Sequence, residues 1–370
     1  MSLALYRKYR PQRFSEIIGQ EHVIQTLTNA ISSGMISHAY LFSGPRGSGK
    51  TTIARLLAKA INCQERKEGE YEPCNKCSSC KEITEGRAID LIEIDAASHR
   101  GIDEMRELRD GIGFLPTKSK YKVFIIDECH QLTKEASNAL LKTLEEPPSH
   151  AIFILATTEI HKMIPTIISR CQRFDFRKLT VPEIIKRLEY ILEKEKIKVE
   201  RPALELIAIS ASGSIRDSES LLDQALTYSA GQERELKTED VKQILGLVEI
   251  NTISKFIDLI CQKKISEAIS FLNELIDKGS DVQEFSKSLI NYLRYVLILK
   301  IMGPEDSNQI ISGLTKEELQ KMKSQAEEFN EEELKKIINL FLDAENKMKY
   351  SPIPQLPLEL AIIDAIGPKE

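Results

Sequence analysis

The chain has 370 residues, with 51 Lys and Arg against 56 Asp and Glu and a formal net charge of −5. A composition of 42% hydrophobic and 29% charged residues is that of a folded protein, and the length suits two or three domains at about 100–200 residues each. The acidic balance excludes a generally basic nucleic-acid coat and leaves room for a local basic patch. No apolar run approaches the roughly 18 residues of a membrane span, and no apolar targeting core follows Met1, so a cytoplasmic protein without a membrane association is expected.

The first predicted strand is Ala39–Phe42. It runs into Gly44-Pro45-Arg46-Gly47-Ser48-Gly49-Lys50-Thr51, a full G-x-x-x-x-G-K-[ST] motif, and a helical pattern opens at Thr52. In that context the glycines let backbone N–H groups wrap phosphates at the positive end of a helix. Lys50 would reach the β- and γ-phosphates, and the Thr51 hydroxyl would ligate Mg²⁺. Cys63, Cys74, Cys77 and Cys80 follow, the last three at two C-x-x-C steps, within a Glu/Lys/Gly-rich insertion. An odd total of seven cysteines argues against a disulfide framework. Four clustered thiolates point to a closed tetrahedral Zn²⁺ site, with an iron–sulfur cluster as the alternative. Cys129, Cys171 and Cys261 lack such neighbours and read as small buried side chains or signature positions.

Leu91–Asp95, Val123–Asp127 and Ile152–Ala156 are short β-branched runs between helical patterns. They predict strands of a parallel sheet, buried on both faces, with crossover helices up to about residue 178. Asp127 and Glu128 close the second of these runs, at the sheet edge where α/β proteins bind ligands. Asp127 can hold Mg²⁺ and Glu128 can orient an attacking water.

From Leu179 the pattern is helical. Thr180 and Glu183 have capping-box spacing, with Pro182 in the first turn. Ile184, Ile185, Leu188, Ile191 and Leu192 line one face. A second helix opens near Pro202, and after Ser212-Gly213-Ser214 a third spans Ile215 to Leu226. This small helical domain ends near 243, and an all-helical remainder follows, interrupted at Gly303-Pro304 and between Ser351 and Pro357.

Taken together, these segments resemble the AAA+ clamp-loader ATPases and, more narrowly, the gamma/tau family of bacterial DNA polymerase III. The resemblance rests on Tyr9-Arg10-Pro11-Gln12-Arg13-Phe14, Ile18-Gly19-Gln20-Glu21, the phosphate loop, the four-cysteine insertion and Glu93–Ser98. It continues through Asp127-Glu128, Leu140–Pro148, Ala156-Thr157-Thr158 and Ser169-Arg170-Cys171, in family order. It implies an α/β AAA+ P-loop domain over 1–178 carrying a zinc insertion at 63–80, a helical lid over 179–243, and an all-α collar over 244–370. It further implies Thr158 as the sensor 1 residue, Arg170 as an arginine finger acting in trans, and Arg216 as sensor 2. Tyr9, Arg10, Pro11, Ile18 and Gly19 would form the adenine-side wall. Arg100 and Lys142 are candidates for contact with the DNA backbone, which needs only scattered positive charge.

The function implied is that of an ATP-hydrolysing motor subunit, using Mg²⁺ and holding Zn²⁺, that loads a sliding clamp onto primed DNA. Expected partners are delta and delta-prime subunits, further copies of the chain, the beta clamp and primed template DNA. A nucleotide-binding scaffold that barely hydrolyses ATP is a competing reading, opposed by the intact Lys50, Thr51, Asp127 and Glu128. A branch-migration helicase is another, opposed by the cysteine insertion and the long helical remainder.

Overall fold

A computed structural model describes residues 4–98, 111–228, 236–245, 250–306 and 316–367. The chain forms two compact units, Met1–Thr238 and Glu239–Glu370.

The first unit opens with a short helix α1 (Leu5–Lys8), a single 3-10 turn at Phe14–Glu16 and α2 (Glu21–Ser33). Strand β1 (Ala39–Ser43) leads through the glycine-rich loop into α3 (Lys50–Ile61). Helix α4 (Ser78–Thr84) lies in the cysteine insertion. Strands β2 (Leu91–Asp95) and β3 (Lys122–Asp127), helix α5 (Lys134–Glu145), β4 (Ala151–Thr157), α6 (Pro165–Ile168) and β5 (Gln172–Asp175) complete the α/β part. The five strands are parallel in the order β2-β3-β4-β1-β5.

β1 and β4 are wholly buried and β3 nearly so, as their unbroken apolar runs predict. One face buries Tyr40, Phe42, Ile125, Ile154 and the apolar side of α3, and the other buries Leu41, Phe124, Phe153 and Leu155 with α5. The strand Leu91–Asp95 departs from the expectation of burial on both faces. It is an edge strand with Leu91, Ile92 and Ile94 half-buried and Glu93 and Asp95 exposed, because among the described strands only β3 pairs with it. At the opposite edge β5, Gln-Arg-Phe-Asp, buries only Phe174. Its polar alternation concealed it from a search for apolar runs.

Three helices follow: α7 (Val181–Glu195), α8 (Arg201–Ser210) and α9 (Ile215–Tyr228). Helix α7 starts where its capping box predicts, with the Thr180 N–H donating to Glu183 at 2.8 Å. Gln20 donates to the carbonyl of Arg177, in the segment leading into α7, at 2.7 Å and accepts from its N–H at 3.1 Å. Helix α10 (Thr238–Ile244) spans the boundary of the two units.

The second unit is helical: α11 (Ile250–Cys261), α12 (Ile265–Asp277), α13 (Val282–Asp306), α14 (Lys316–Glu328), α15 (Glu331–Met348) and α16 (Leu356–Ile366). Its own core gathers Phe256, Phe285, Leu289, Leu293, Phe341 and Ile362. Gly303, at φ 76°, breaks the regular geometry of α13 at the predicted interruption.

Candidate functional site

In-register pairing of Ser43 with Thr157 and of Ile126 with Leu155 brings the C-terminal ends of β1, β3 and β4 to one level. The loop after β1 begins with the Gly44 N–H donating to the Thr157 carbonyl at 3.2 Å. Gly47 turns at φ 74°, and a Cβ there would lie 1.9 Å from Ser214 Oγ. The Ile215 N–H reaches the Gly47 carbonyl at 3.2 Å. Only glycine therefore allows this loop both to turn and to touch the start of α9. Gly49 caps α3, so the helix N-terminus faces the cleft.

The Lys50 side chain runs back along the loop and donates to the carbonyls of Gly44 at 2.8 Å and Pro45 at 2.9 Å. Burial lowers its pKa, and the charges of Glu128 and Asp127 oppose that shift. The Thr51 hydroxyl donates to Asp127 Oδ2 at 2.7 Å, so the two predicted Mg²⁺ ligands are in contact. Glu128 sits in the left-handed region at φ 47°, and its Oε2 accepts from the Thr158 hydroxyl at 2.8 Å and backbone N–H at 3.3 Å. Thr158 thus touches the acid that would orient water. Thr51 with Asp127 suits a hard cation bound through oxygen and shared with phosphates.

The cleft around this loop brings together Arg10, Pro11, Ile18, Arg46, Gly47, Ser48, Gly49, Lys50, Thr51, Thr52, Asp127, Glu128 and Arg216. Arg216 opens α9 and its guanidinium lies 5.2 Å from the centroid of Tyr6, which also lines the cleft. Tyr9 points away, its phenol donating to Glu195 at 2.8 Å. Gly19 backs onto Leu179, and Gly44 and Pro45 stand behind the lining, bonded to Lys50. Arg170 lies off the cleft, one-third exposed, donating to Glu145 at 2.7 Å. Lys142 is exposed on α5, and Arg100 is outside the described residues.

The cleft also contains residues that sequence reading missed. Arg187 and Glu219 form a buried pair at 2.7 Å, and Arg187 donates a second bond to the Tyr9 carbonyl. Burial raises the pKa of Glu219, while Arg187 opposes that shift. The signal was present: Arg187 stands on the same helical face as Ile184, Leu188 and Ile191, where a charge demands a partner. Glu16 at the end of the 3-10 turn and Ile17 just after it, together with Leu179 and Ile215, carried no comparable signal.

The four predicted cysteines converge, with all sulfurs within 4.8 Å of one another. The Cys74 and Cys80 sulfurs are 3.9 Å apart, matching the edge of about 3.8 Å for a tetrahedron with Zn–S of about 2.3 Å. Backbone N–H groups of Cys74, Lys76 and Cys77 point at sulfurs at 3.3 Å, the contacts expected of thiolate acceptors. Burial raises the thiol of Cys80. The thiol of Cys77 stands at about 7 despite burial, held down by the N–H groups of Cys80 and Gln64. Lys59, 2% exposed, has its ammonium on neutral oxygens. Burial lowers its pKa, and Cys80, Glu16, Cys74 and Cys63 act against that shift. A buried ammonium near this cluster would favour ionised sulfurs, the form in which cysteines bind a metal.

Comparison with known proteins follows the same segments. A family model described as DNA polymerase III, delta subunit, matches residues 19–180. The clamp loader subunit ATPase lid domain matches 183–231, and domain III of DNA polymerase III subunits gamma and tau matches 236–370. The DNA polymerase III subunit gamma of Buchnera aphidicola (subsp. Acyrthosiphon pisum) is 38% identical over 98% of this chain and 98% of its own length. The chain belongs to the gamma/tau family. Subunit tau of Bacillus subtilis is 44% identical over 97% of the chain, and that of Escherichia coli K12 is 37% identical over 98%. The chain spans 62% and 55% of the lengths of those two tau relatives. As a gamma/tau family member it combines an AAA+ P-loop unit with a helical C-terminal region, and no described helix is long and apolar enough to cross a membrane.

Proposed function

We propose that this chain is an ATP-hydrolysing motor subunit of a bacterial clamp loader, loading a sliding clamp onto primed DNA within the DNA polymerase III holoenzyme. The observation that carries this reading is the contact chain Thr51–Asp127, Glu128–Thr158 beside Lys50, in a chain of the gamma/tau family. In this reading Lys50 leaves the loop carbonyls for the β- and γ-phosphates. Thr51 and Asp127 would hold Mg²⁺, which supplies charge neutralisation at the phosphates. Glu128, freed from Thr158, orients the attacking water, and Arg216 moves from Tyr6 toward the γ-phosphate.

Arg170, directed away from its own cleft, supplies charge to the nucleotide of a neighbouring copy. The proposed division is a nucleotide domain over 1–178, a lid over 179–243 and a collar over 244–370. Cys63, Cys74, Cys77 and Cys80 would hold a structural Zn²⁺ with no open coordination position. Lys142 and Arg100 are proposed to contact DNA phosphates. Partners are delta and delta-prime subunits, further copies of this chain, the beta clamp and primed template, in the cytoplasm. The deciding experiment measures phosphate release by the reconstituted complex. Stimulation by clamp and primed DNA together is expected, and release that ignores both would overturn the reading.

A further inference from the structure

The cysteine insertion and the nucleotide cleft share a structural element, the segment 10–18. The two ends of this segment line the cleft: Arg10 and Pro11 at the start, and Glu16, Ile17 and Ile18 at the finish. Its middle is held by the insertion. Glu72, two residues before Cys74, accepts from the Phe14 N–H through Oε2 and from the Ser15 N–H through Oε1, both at 2.9 Å. These are the free amides at the start of the 3-10 turn, so a carboxylate from 57 or 58 residues away caps it. Asn75, between two of the cysteines, donates to the Gln12 carbonyl at 3.2 Å.

Gln12 connects the parts. Its side-chain oxygen accepts from buried Lys59 at 2.7 Å, and Lys59 also donates to Thr84 at 2.7 Å. The Thr84 hydroxyl in turn donates to the Cys80 carbonyl at 2.8 Å. Gln12 also bonds both cleft-lining ends, through its side-chain amide to the Arg10 carbonyl at 2.9 Å and through its backbone N–H to Glu16 at 2.7 Å. Phe14, 1% exposed, anchors the same turn in the core beneath the sheet.

We propose that the four-cysteine insertion is a brace for the nucleotide wall, with Glu72 and Gln12 as positioning residues for ATP binding. The inference rests on the cleft being the ATP site. A wall built from a single 3-10 turn and extended chain has little rigidity of its own. The insertion supplies the rigidity through two charge-assisted bonds and the Gln12 node, so ordering the cysteines around a metal also orders the wall.

The test uses the full chain loaded with zinc, a fluorescent ATP analogue, and the variants Glu72→Ala, Glu72→Gln and Gln12→Ala. Glu72→Ala should bind the analogue about tenfold more weakly, the scale set by one charge-assisted hydrogen bond. Its zinc content should stay at the wild-type value, and hydrogen exchange should speed up at the amides of Phe14 and Ser15. Glu72→Gln, which keeps a carbonyl acceptor, should recover part of the affinity, and Gln12→Ala should weaken binding with zinc retained. Unchanged affinity in Glu72→Ala and Gln12→Ala, while Lys50→Ala abolishes binding, would overturn the brace and leave the ATP site standing. Loss of affinity only in step with loss of zinc would overturn Glu72 and Gln12 as positioning residues, since they would then serve the insertion's own fold. A wild-type chain that binds no nucleotide would overturn both readings.

Discussion

Lys50 and Arg170 are expected to fail in different ways. Lys50 lies within the loop that would hold the phosphates, whereas Arg170 is ion-paired to Glu145 outside the cleft. Lys50→Ala should remove ATP turnover. Arg170→Ala should leave nucleotide affinity intact but lower turnover of the assembled complex, by about a thousandfold if it acts as an arginine finger. Titration of a fluorescent nucleotide, paired with steady-state phosphate release, separates the two, and full turnover by an Arg170→Ala assembly would contradict the role in trans.

Glu183 offers a second residue-scale prediction. The Arg177 guanidinium, with the Thr180 N–H and hydroxyl, holds its carboxyl at about 2. The ordinary value is 4.5, so the stabilisation is complete above that pH and is lost as pH falls through about 2. Melting temperatures of wild type and Glu183→Gln should differ at neutral pH and converge in acid. A gap that stays constant with pH would show that ionisation is not its source.

At the scale of elements, the phosphate loop and α9 are mutually fitted. Gly47→Ala forces a side chain into the left-handed region, at a cost of about 1–3 kcal/mol, and drives its Cβ into Ser214. The melting temperature and nucleotide affinity should both fall. Adding Ser214→Ala removes the oxygen at 1.9 Å but leaves the residue 214 Cβ at 2.9 Å and the backbone strain, so the double variant should recover only part of the melting temperature. Full recovery would show that the Ser214 oxygen alone excludes a side chain at position 47.

Element identity was legible where a face is continuous. β1, β3 and β4 were readable as apolar runs, and α7 from its capping box and stripe. β5 was not, because an edge strand with one buried residue in four carries almost no hydrophobic pattern. The partial exposure of β2 was hidden for a related reason, since Leu-Ile-Glu-Ile-Asp does not disclose how many neighbours the strand has.

At the scale of the whole molecule, the acidic total of −5 leaves any DNA contact to local features, and the cysteine insertion is the clearest module beyond the sheet. Metal analysis should find about one zinc per chain, because four thiolates complete one tetrahedral shell. Removing the metal with a chelator should lower the melting temperature of the first unit. A metal-free chain that melts with the loaded one would exclude a structural staple.

The sequence alone determined the chemistry that is written locally: the phosphate loop, the Asp127-Glu128 pair, the cysteine spacing and the apolar faces of the helices. Each of these is a pattern within a few turns or one strand, so periodicity and spacing record it. The tertiary structure decided which of these parts meet. It placed Thr158 on Glu128, paired Arg187 with Glu219, turned Tyr9 away from the cleft and set Glu72 against the turn at Phe14. Those contacts join residues 30 to 186 positions apart, and their geometry depends on strand order and on how the lid helices pack. No local pattern encodes that arrangement, because burial of the shared cores fixes it only when the chain is folded.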